Sequence, residues 1–323
     1  MLVVRVERFG SPEVLTPREL PDPVAGPGQV VIEVAVADVL FIETQVRGGW
    51  GREFFSVQPP YVPGDGVAGH VLSAGEGVDR GLVGQRVAVH VGGYGGYAER
   101  VVVPAESLIR VPNGLGLPEA ASLLNDGPTA LTVFETAKVA PRSRVLVLPA
   151  AGGFGSLLVQ LAHAAGAQVI GAARGEHKLA AVRERGAGVV VDYSLPDWPE
   201  RVLEATGGVG ADVVFDGVGG DIGRYAFALT APGGQFSAHG APSGGFAQVD
   251  RQEAERRAVS VRGIQDVQLP DSERRRLAEQ AITEAAAGRL RPLIGQTFPL
   301  RQAAEAHAAI EGRTVVGKTL LLA

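Results

Sequence analysis

The sequence predicts an α/β protein in which a β-rich portion is followed by a doubly wound parallel sheet. Three observations carry this. The first third of the 323 residues alternates apolar and polar positions in short runs punctuated by Gly and Pro. From Pro118 onward, long helical patterns alternate with apolar strands. Within that second pattern, the aliphatic run Val145–Leu148 ends in Pro149-Ala150-Ala151-Gly152-Gly153-Phe154-Gly155 and leads straight into a helix.

In order, Met1 to Glu7 alternates like a strand, as do Val30 to Val36, Val67 to Ser73, Arg86 to His90 and Ala98 to Pro104. Breaks fall at Pro21-Asp22-Pro23, Gly26-Pro27-Gly28, Pro59-Pro60 and Pro63-Gly64, and Gly92 to Tyr97 reads as a tight loop. After the glycine turn, Ser156 to Ala165 is helical, Gly166 stops it, and Gln168 to Ala173 is a second strand. Gly188 to Val191 is a third strand, closed by Asp192-Tyr193. Ala211 to Asp216 and Gly234 to Gly240 repeat the buried parallel type, and Val259 to Ile264 is the last of them. Asp271-Ser272-Glu273 opens a helix by capping chemistry that continues to about Ala287. The tail from Thr314 to Leu322 returns to strand.

A strand, a glycine turn, a helix and a second strand form a βαβ unit, the setting in which a dinucleotide pyrophosphate rests on a helix N-terminus. The frame here is Ala150-x-Gly152-x-x-Gly155, with alanine in the first glycine position. At the end of the second strand, where an NAD-binding protein places an acid for the ribose hydroxyl, stands Arg174. A guanidinium clasps the 2′-phosphate of NADP, which a carboxylate repels. Lys178, one helical turn on, and Tyr193 can complete the anion pocket, or Arg174 and Lys178 are solvated surface charges. Glu176 points the other way, since it can serve a ribose hydroxyl.

A net charge of −5 gives no electrostatic case for nucleic acid. No run of eighteen apolar residues suggests a membrane span, and the N-terminus lacks a signal-peptide core. The absence of cysteine excludes disulfides and cysteine-ligated metals. A cytoplasmic protein acting on a small molecule is the expectation.

Several motifs together resemble the zinc-independent medium-chain dehydrogenase/reductases of the NADPH:quinone oxidoreductase branch. They are Phe41-Ile42-Glu43-Thr44-x-x-Arg47-x-Gly49, Gly69-x-Val71-x-x-x-Gly75-x-Gly77-Val78, Gly96-Tyr97-Ala98-Glu99, the glycine turn, Val191-Asp192-Tyr193, Phe215-Asp216-x-Val218-Gly219, Gly288-x-Leu290-x-Pro292 and Gly317-Lys318. The resemblance implies a GroES-like domain from residues 1–122 and 291–323, for substrate and catalysis. A Rossmann NADPH-binding domain then spans residues 123–290. It implies cofactor contacts at Ala151, Gly152, Gly153, Phe154 and Gly155, and at Val218, His239 and Gly240 after strand ends. Ile264 and Gln265 can reach the carboxamide. Thr129 can position the nicotinamide or cap a helix beginning there, and Lys318 can touch cofactor or stand as a surface residue. The resemblance also implies a homodimer formed through Val259–Ile264.

Zinc-bearing relatives hold metal with Cys, His and Cys, at positions that here are Leu40, Asp65 and Asn125, so no metal is expected. Without a Lewis acid, hydride transfer suits an acceptor that is already activated, a quinone or an enone. Candidate proton donors are Glu43, Tyr61 and Asp126. The chain departs from the quinone reductases where they commonly carry asparagine (Leu40), an acid (Gly66) and tyrosine (Gln45). The loop Trp50 to Val57 either lines an apolar substrate mouth or packs as a surface flap. An enoyl-thioester reductase and a catalytically idle NADPH-binding sensor are the alternatives.

Overall fold

The structure is a computed structural model that describes residues 1–323. The chain divides into two compact units, Met1–Pro128 with Ser272–Ala323, and Thr129–Asp271. Strand β1 (Leu2–Val6) pairs antiparallel with β2 (Leu15–Glu19). The first unit continues through β3 (Gln29–Val39), α1 (Phe41–Arg47), β4 (Gly66–Ala74), β5 (Arg86–His90), β6 (Arg100–Pro104) and β7 (Ile109–Arg110). Helix α2 (Leu117–Ala137) carries the chain across the unit boundary.

The second unit alternates strictly: β8 (Arg144–Leu148), α3 (Gly153–Ala164), β9 (Gln168–Ala173), α4 (Glu176–Glu184), β10 (Val189–Asp192), α5 (Trp198–Ala205), β11 (Ala211–Asp216), α6 (Gly220–Ala228), β12 (Thr230–Ala238), α7 (Arg251–Arg256) and β13 (Ser260–Gly263). The tail adds α8 (Asp271–Ala286), β14 (Ile294–Pro299), α9 (Ala303–Glu311) and β15 (Lys318–Leu322) to the first unit.

In the first unit the long strand β3 organises a seven-stranded sheet ordered β14-β15-β3-β4-β5-β7. Strand β6 pairs with its first half (Gln29↔Pro104 to Glu33↔Arg100), and β15 with its second half (Val36↔Leu322 to Val39↔Thr319). The last strand of the chain is thereby built into the sheet organised by β3, while β1 and β2 form a separate two-stranded sheet. The expected alternation of β3 is largely lost, because most of its residues are buried on both faces. Its Val30, Ile32, Val34 and Val39 join Val4, Val67, Val87, Leu321 and Ala306 of α9 in one core.

The second unit holds a six-stranded, all-parallel sheet ordered β10-β9-β8-β11-β12-β13. The chain walks outward from β8 to β10, then returns to β11 and walks the other way. Right-handed crossovers therefore put α3 and α4 on one face and α5, α6 and α7 on the other. The residues agree: Leu146, Leu148, Ile170, Ala172 and Val214 pack with Trp198, Val202, Ala226, Phe227 and Ala254 from the second set of helices. The direction reverses between β8 and β11, and that is where doubly wound sheets open a crevice at their carboxyl ends.

Candidate functional site

The β8 carboxyl end is built for an anion. Gly152 is extended (φ −77°, ψ 166°) and caps α3, so the first N–H groups of the helix have no carbonyl four residues back. They leave partial positive charge at the turn. A Cβ on Gly155 would lie 2.0 Å from the Pro149 carbonyl oxygen, so only glycine permits this approach of backbone to backbone. At Gly152 a Cβ would meet nothing nearer than 3.8 Å, which leaves the mouth of the turn open.

Neighbouring strand ends converge on the same place. Gly217 N–H donates to the Leu148 carbonyl at 2.6 Å, and buried Asp216 accepts from the N–H groups of Val218 (2.9 Å) and Gly219 (3.0 Å). Burial pushes the Asp216 carboxyl up, to about 6, against those two donors. His239 follows β12 and sets its ring edge-on to Phe154, with centroids 4.7 Å apart. Burial holds this imidazole down, to about 4, so it is neutral at pH 7. Ala151, Gly152, Gly153, Phe154, Gly155, Val218, His239 and Gly240 are thus gathered at the ends of β8, β11 and β12. Ile264 and exposed Gln265 lie in the 3₁₀ turn that ends β13, where Gly263 N–H donates to Asp266 at 2.7 Å. That strand stops one residue short of the expected Ile264.

Arg174 is exposed immediately after β9, and Lys178 on α4 and Tyr193 after β10 are half-buried. Asp192, the nearest acid, is occupied: its carboxylate accepts from Gly175 N–H (2.9 Å), Ser194 N–H (2.9 Å) and Ser194 hydroxyl (2.6 Å). Burial opposes its charge, yet these donors and the nearby Arg174 hold it below the usual carboxylate range. Glu176 pairs with Arg183 at 2.5 Å.

Thr129 lies in the interior of α2, which starts at Leu117, so it caps no helix. Lys318 is no surface residue: it is 5% exposed, 2.8 Å from Asp38 and 3.4 Å from Asp126.

A second polar cluster lies inside the first unit. Glu43, in the first turn of α1, accepts at Oε2 from Leu40 N–H (2.9 Å) and from the Tyr97 hydroxyl (2.8 Å). Tyr97 also meets His307 Nε2 at 2.9 Å. Tyr61 packs edge-on against Tyr94 with centroids 5.4 Å apart, and burial raises its hydroxyl above the ordinary tyrosine value. Sequence reasoning passed over Asp38, Tyr97 and His307 as functional groups. Asp38 is one of two charged residues in a valine-rich strand, and unlike exposed Glu33 it is buried; a carboxylate in that run was its signal. Tyr97 and His307, 210 positions apart, had none beyond a motif and a lone histidine.

The zinc positions offer no matching donor set. Leu40 carries no donor atom, and Asp65 accepts from Gly93 N–H at 2.6 Å. Asn125 presents a neutral amide, and no three His, Cys, Asp or Glu side chains converge as a metal site. In the Trp50–Val57 loop, Phe55 leans on Trp50 and Arg52 lies over Phe9, while Phe54 remains exposed.

Residues 26–113 match the alcohol dehydrogenase GroES-like domain, and residues 153–281 match the zinc-binding dehydrogenase domain. A 2-haloacrylate reductase of Burkholderia sp. is 34% identical over 98% of this chain and 97% of its own. A quinone oxidoreductase of Pseudomonas aeruginosa is 30% identical over 99% and 98%. Escherichia coli quinone oxidoreductase, solved with NADPH, superposes with a TM-score of 0.90 at 26% identity, covering all of both chains. The chain belongs to the medium-chain dehydrogenase/reductase family, in its NADPH:quinone oxidoreductase branch.

Proposed function

We propose that this oxidoreductase uses NADPH to reduce a quinone or an activated enone without zinc. The observation that carries the reading is the open glycine turn at the β8–β11 reversal, with an exposed arginine after β9 where NAD-binding proteins use an acid. Residues 123–290 would bind the cofactor, and residues 1–122 with 291–323 would serve the acceptor. The backbone of Ala151 to Gly155 would cradle the pyrophosphate, and Arg174, Lys178 and Tyr193 the 2′-phosphate. Val218, His239 and Gly240 would line the ring, with Thr129, Ile264 and Gln265 toward the nicotinamide end. Lys318 would act on the cofactor through the charge it shares with Asp38 and Asp126.

Bound NADPH supplies a hydride. The chain's own task is to orient the acceptor, exclude water and provide a proton, for which Glu43, Tyr61 and Asp126 are the candidates. The missing donor atom at Leu40 supports zinc independence, and with it a preference for acceptors that need no Lewis acid. Enoyl thioesters are a further acceptor class. Steady-state assays with quinones, 2-substituted enones and enoyl thioesters test the reading; tight NADPH binding with no oxidation by any of them would favour an idle sensor.

The reading includes a homodimer. β13 is an edge strand of the parallel sheet, and Val261 on it is 40% exposed. Sedimentation at micromolar concentration should find a dimer; a monomer refutes it.

A further inference from the structure

Tyr97 and His307 are wholly buried, and neither belongs to the cofactor turn. Their contacts fix the direction of a hydrogen-bonded chain. Leu40 N–H can only donate, and it donates to Glu43 Oε2. The single Tyr97 proton goes to the same oxygen, so the phenolic oxygen must accept from His307, which therefore carries its proton on Nε2. His307 Nδ1 has no partner, as suits a neutral ring with a bare nitrogen there. The polarity runs His307 to Tyr97 to Glu43 Oε2.

One atom of this chain is left over. Glu43 Oε1 is buried and has no hydrogen-bond partner. A carboxylate oxygen in that position would be desolvated without compensation. The charges around it do not help: Asp38 and Asp65 repel a second negative charge, Tyr61 and Tyr94 are neutral phenols, and Arg47 is turned to Gly10, Thr44 and Glu311. A neutral acid with its proton on Oε1 is the consistent state.

We propose that Glu43 Oε1–H delivers the proton of the reaction, with Tyr97 and His307 as positioning residues, and that the matching acceptor is a 2-substituted α,β-unsaturated carbonyl compound. This rests on the reductase reading above. Hydride addition at the β-carbon leaves the C=C electron pair on the α-carbon and carbonyl as an enolate. The Oε1–H bond then breaks, its proton bonds to the α-carbon, and its electron pair stays on Glu43. The new carboxylate is met by Leu40 N–H and Tyr97 O–H, both already aimed at Oε2, and water restores the proton. A quinone, reduced to a hydroquinone anion protonated on oxygen, has no need of such a donor. Burial supports the neutral form by pushing the Glu43 carboxyl up, to about 8, against the Leu40 and Tyr97 donors.

Two measurements test this. Infrared spectra of the cofactor-free protein should show a protonated-carboxyl band at pH 7 that titrates away near pH 8 and is missing in Glu43→Gln. Tyr97→Phe removes a donor to the carboxylate and should raise that titration by about one pH unit. His307→Leu should move it as well, and His307→Gln, which keeps an N–H toward Tyr97, should restore it. With NADPH and a 2-substituted enone, wild type should form one α-configuration, with kcat falling as pH rises through the same transition. Glu43→Gln should be slower by about a hundredfold or more and yield both configurations, because water protonates the enolate. A Glu43→Gln enzyme that keeps rate and configuration, or a wild type without the band, overturns the proposal. A wild type that oxidises NADPH with quinones but with no enone overturns the acceptor and the proton step, while the reductase reading survives. If no acceptor of any class is reduced, the reductase reading falls and the proton step with it, whatever the band shows.

Discussion

The ammonium of Lys318 lies 2.8 Å from Asp38 in the interior of the first unit, joining the last strand of the chain to β3. Asp38 is fully buried and Lys318 nearly so, with Asp126 3.4 Å from the same ammonium. Removing one member strands a charge without solvent. Lys318→Met or Asp38→Leu alone should each cost about 3–5 kcal/mol in urea unfolding, whereas the double variant should recover much of the loss. Additive losses would mean the pair is not coupled.

The glycine turn separates fold from function. Gly155→Ala forces a methyl to 2.0 Å from the Pro149 oxygen, and neither is on a flexible side chain. It should lower stability by about 1–3 kcal/mol. Gly152→Ala meets no atom within 3.8 Å and keeps an ordinary backbone conformation, so its melting temperature should hold. The methyl does enter the space assigned to the pyrophosphate, and NADPH affinity should fall. Equal melting temperatures for the two variants would contradict this account of the turn.

Arg174 should decide between coenzymes. A charge-assisted contact with phosphate is worth about 1.5–3 kcal/mol. Titration of Arg174→Ala should therefore show NADPH weakened about ten- to a hundredfold and NADH nearly unchanged. Loss of both alike would make Arg174 structural.

The sequence was legible where chemistry is local. The β8–turn–α3 unit could be read because strand, glycines and helix are consecutive, and so could the position of Arg174, directly after the next strand. Strand β14 escaped because Ile294-Gly295-Gln296-Thr297 has little apolar periodicity, and it forms by pairing with β15. For Lys318 the sequence left a cofactor contact and a surface position both open, because nothing nearby announces a buried carboxylate; Asp38 is 280 positions away. The Tyr97–His307 pair is hidden for the same reason, one partner ending a glycine-rich loop and the other on an alanine-rich helix. Long-range pairing of polar groups is a property of topology, and a single sequence does not display it.

His307 should leave a mark on acid stability. Burial, with the Arg47 charge adding to it, lowers its pKa from 6.5 to about 3. Between those values the unfolded chain binds a proton that the folded protein refuses, so stability falls as pH drops below 6.5. Glu43 acts in the opposite sense: its pKa is raised from 4.5 to about 8, so its contribution is complete below 4.5 and is lost as pH rises through 8. From pH 6.5 to 4.5 the two offset each other in wild type. His307→Gln removes only the first, at about 1.4 kcal/mol per pH unit. On going from pH 6.5 to 4.5, the unfolding free energy of His307→Gln should therefore gain about 2 kcal/mol relative to wild type. Urea titrations of both proteins at the two pH values measure this directly. Parallel pH dependences would mean that His307 is already protonated in the fold, which would leave Nε2–H donating to Tyr97 but overturn the neutral ring with a bare Nδ1.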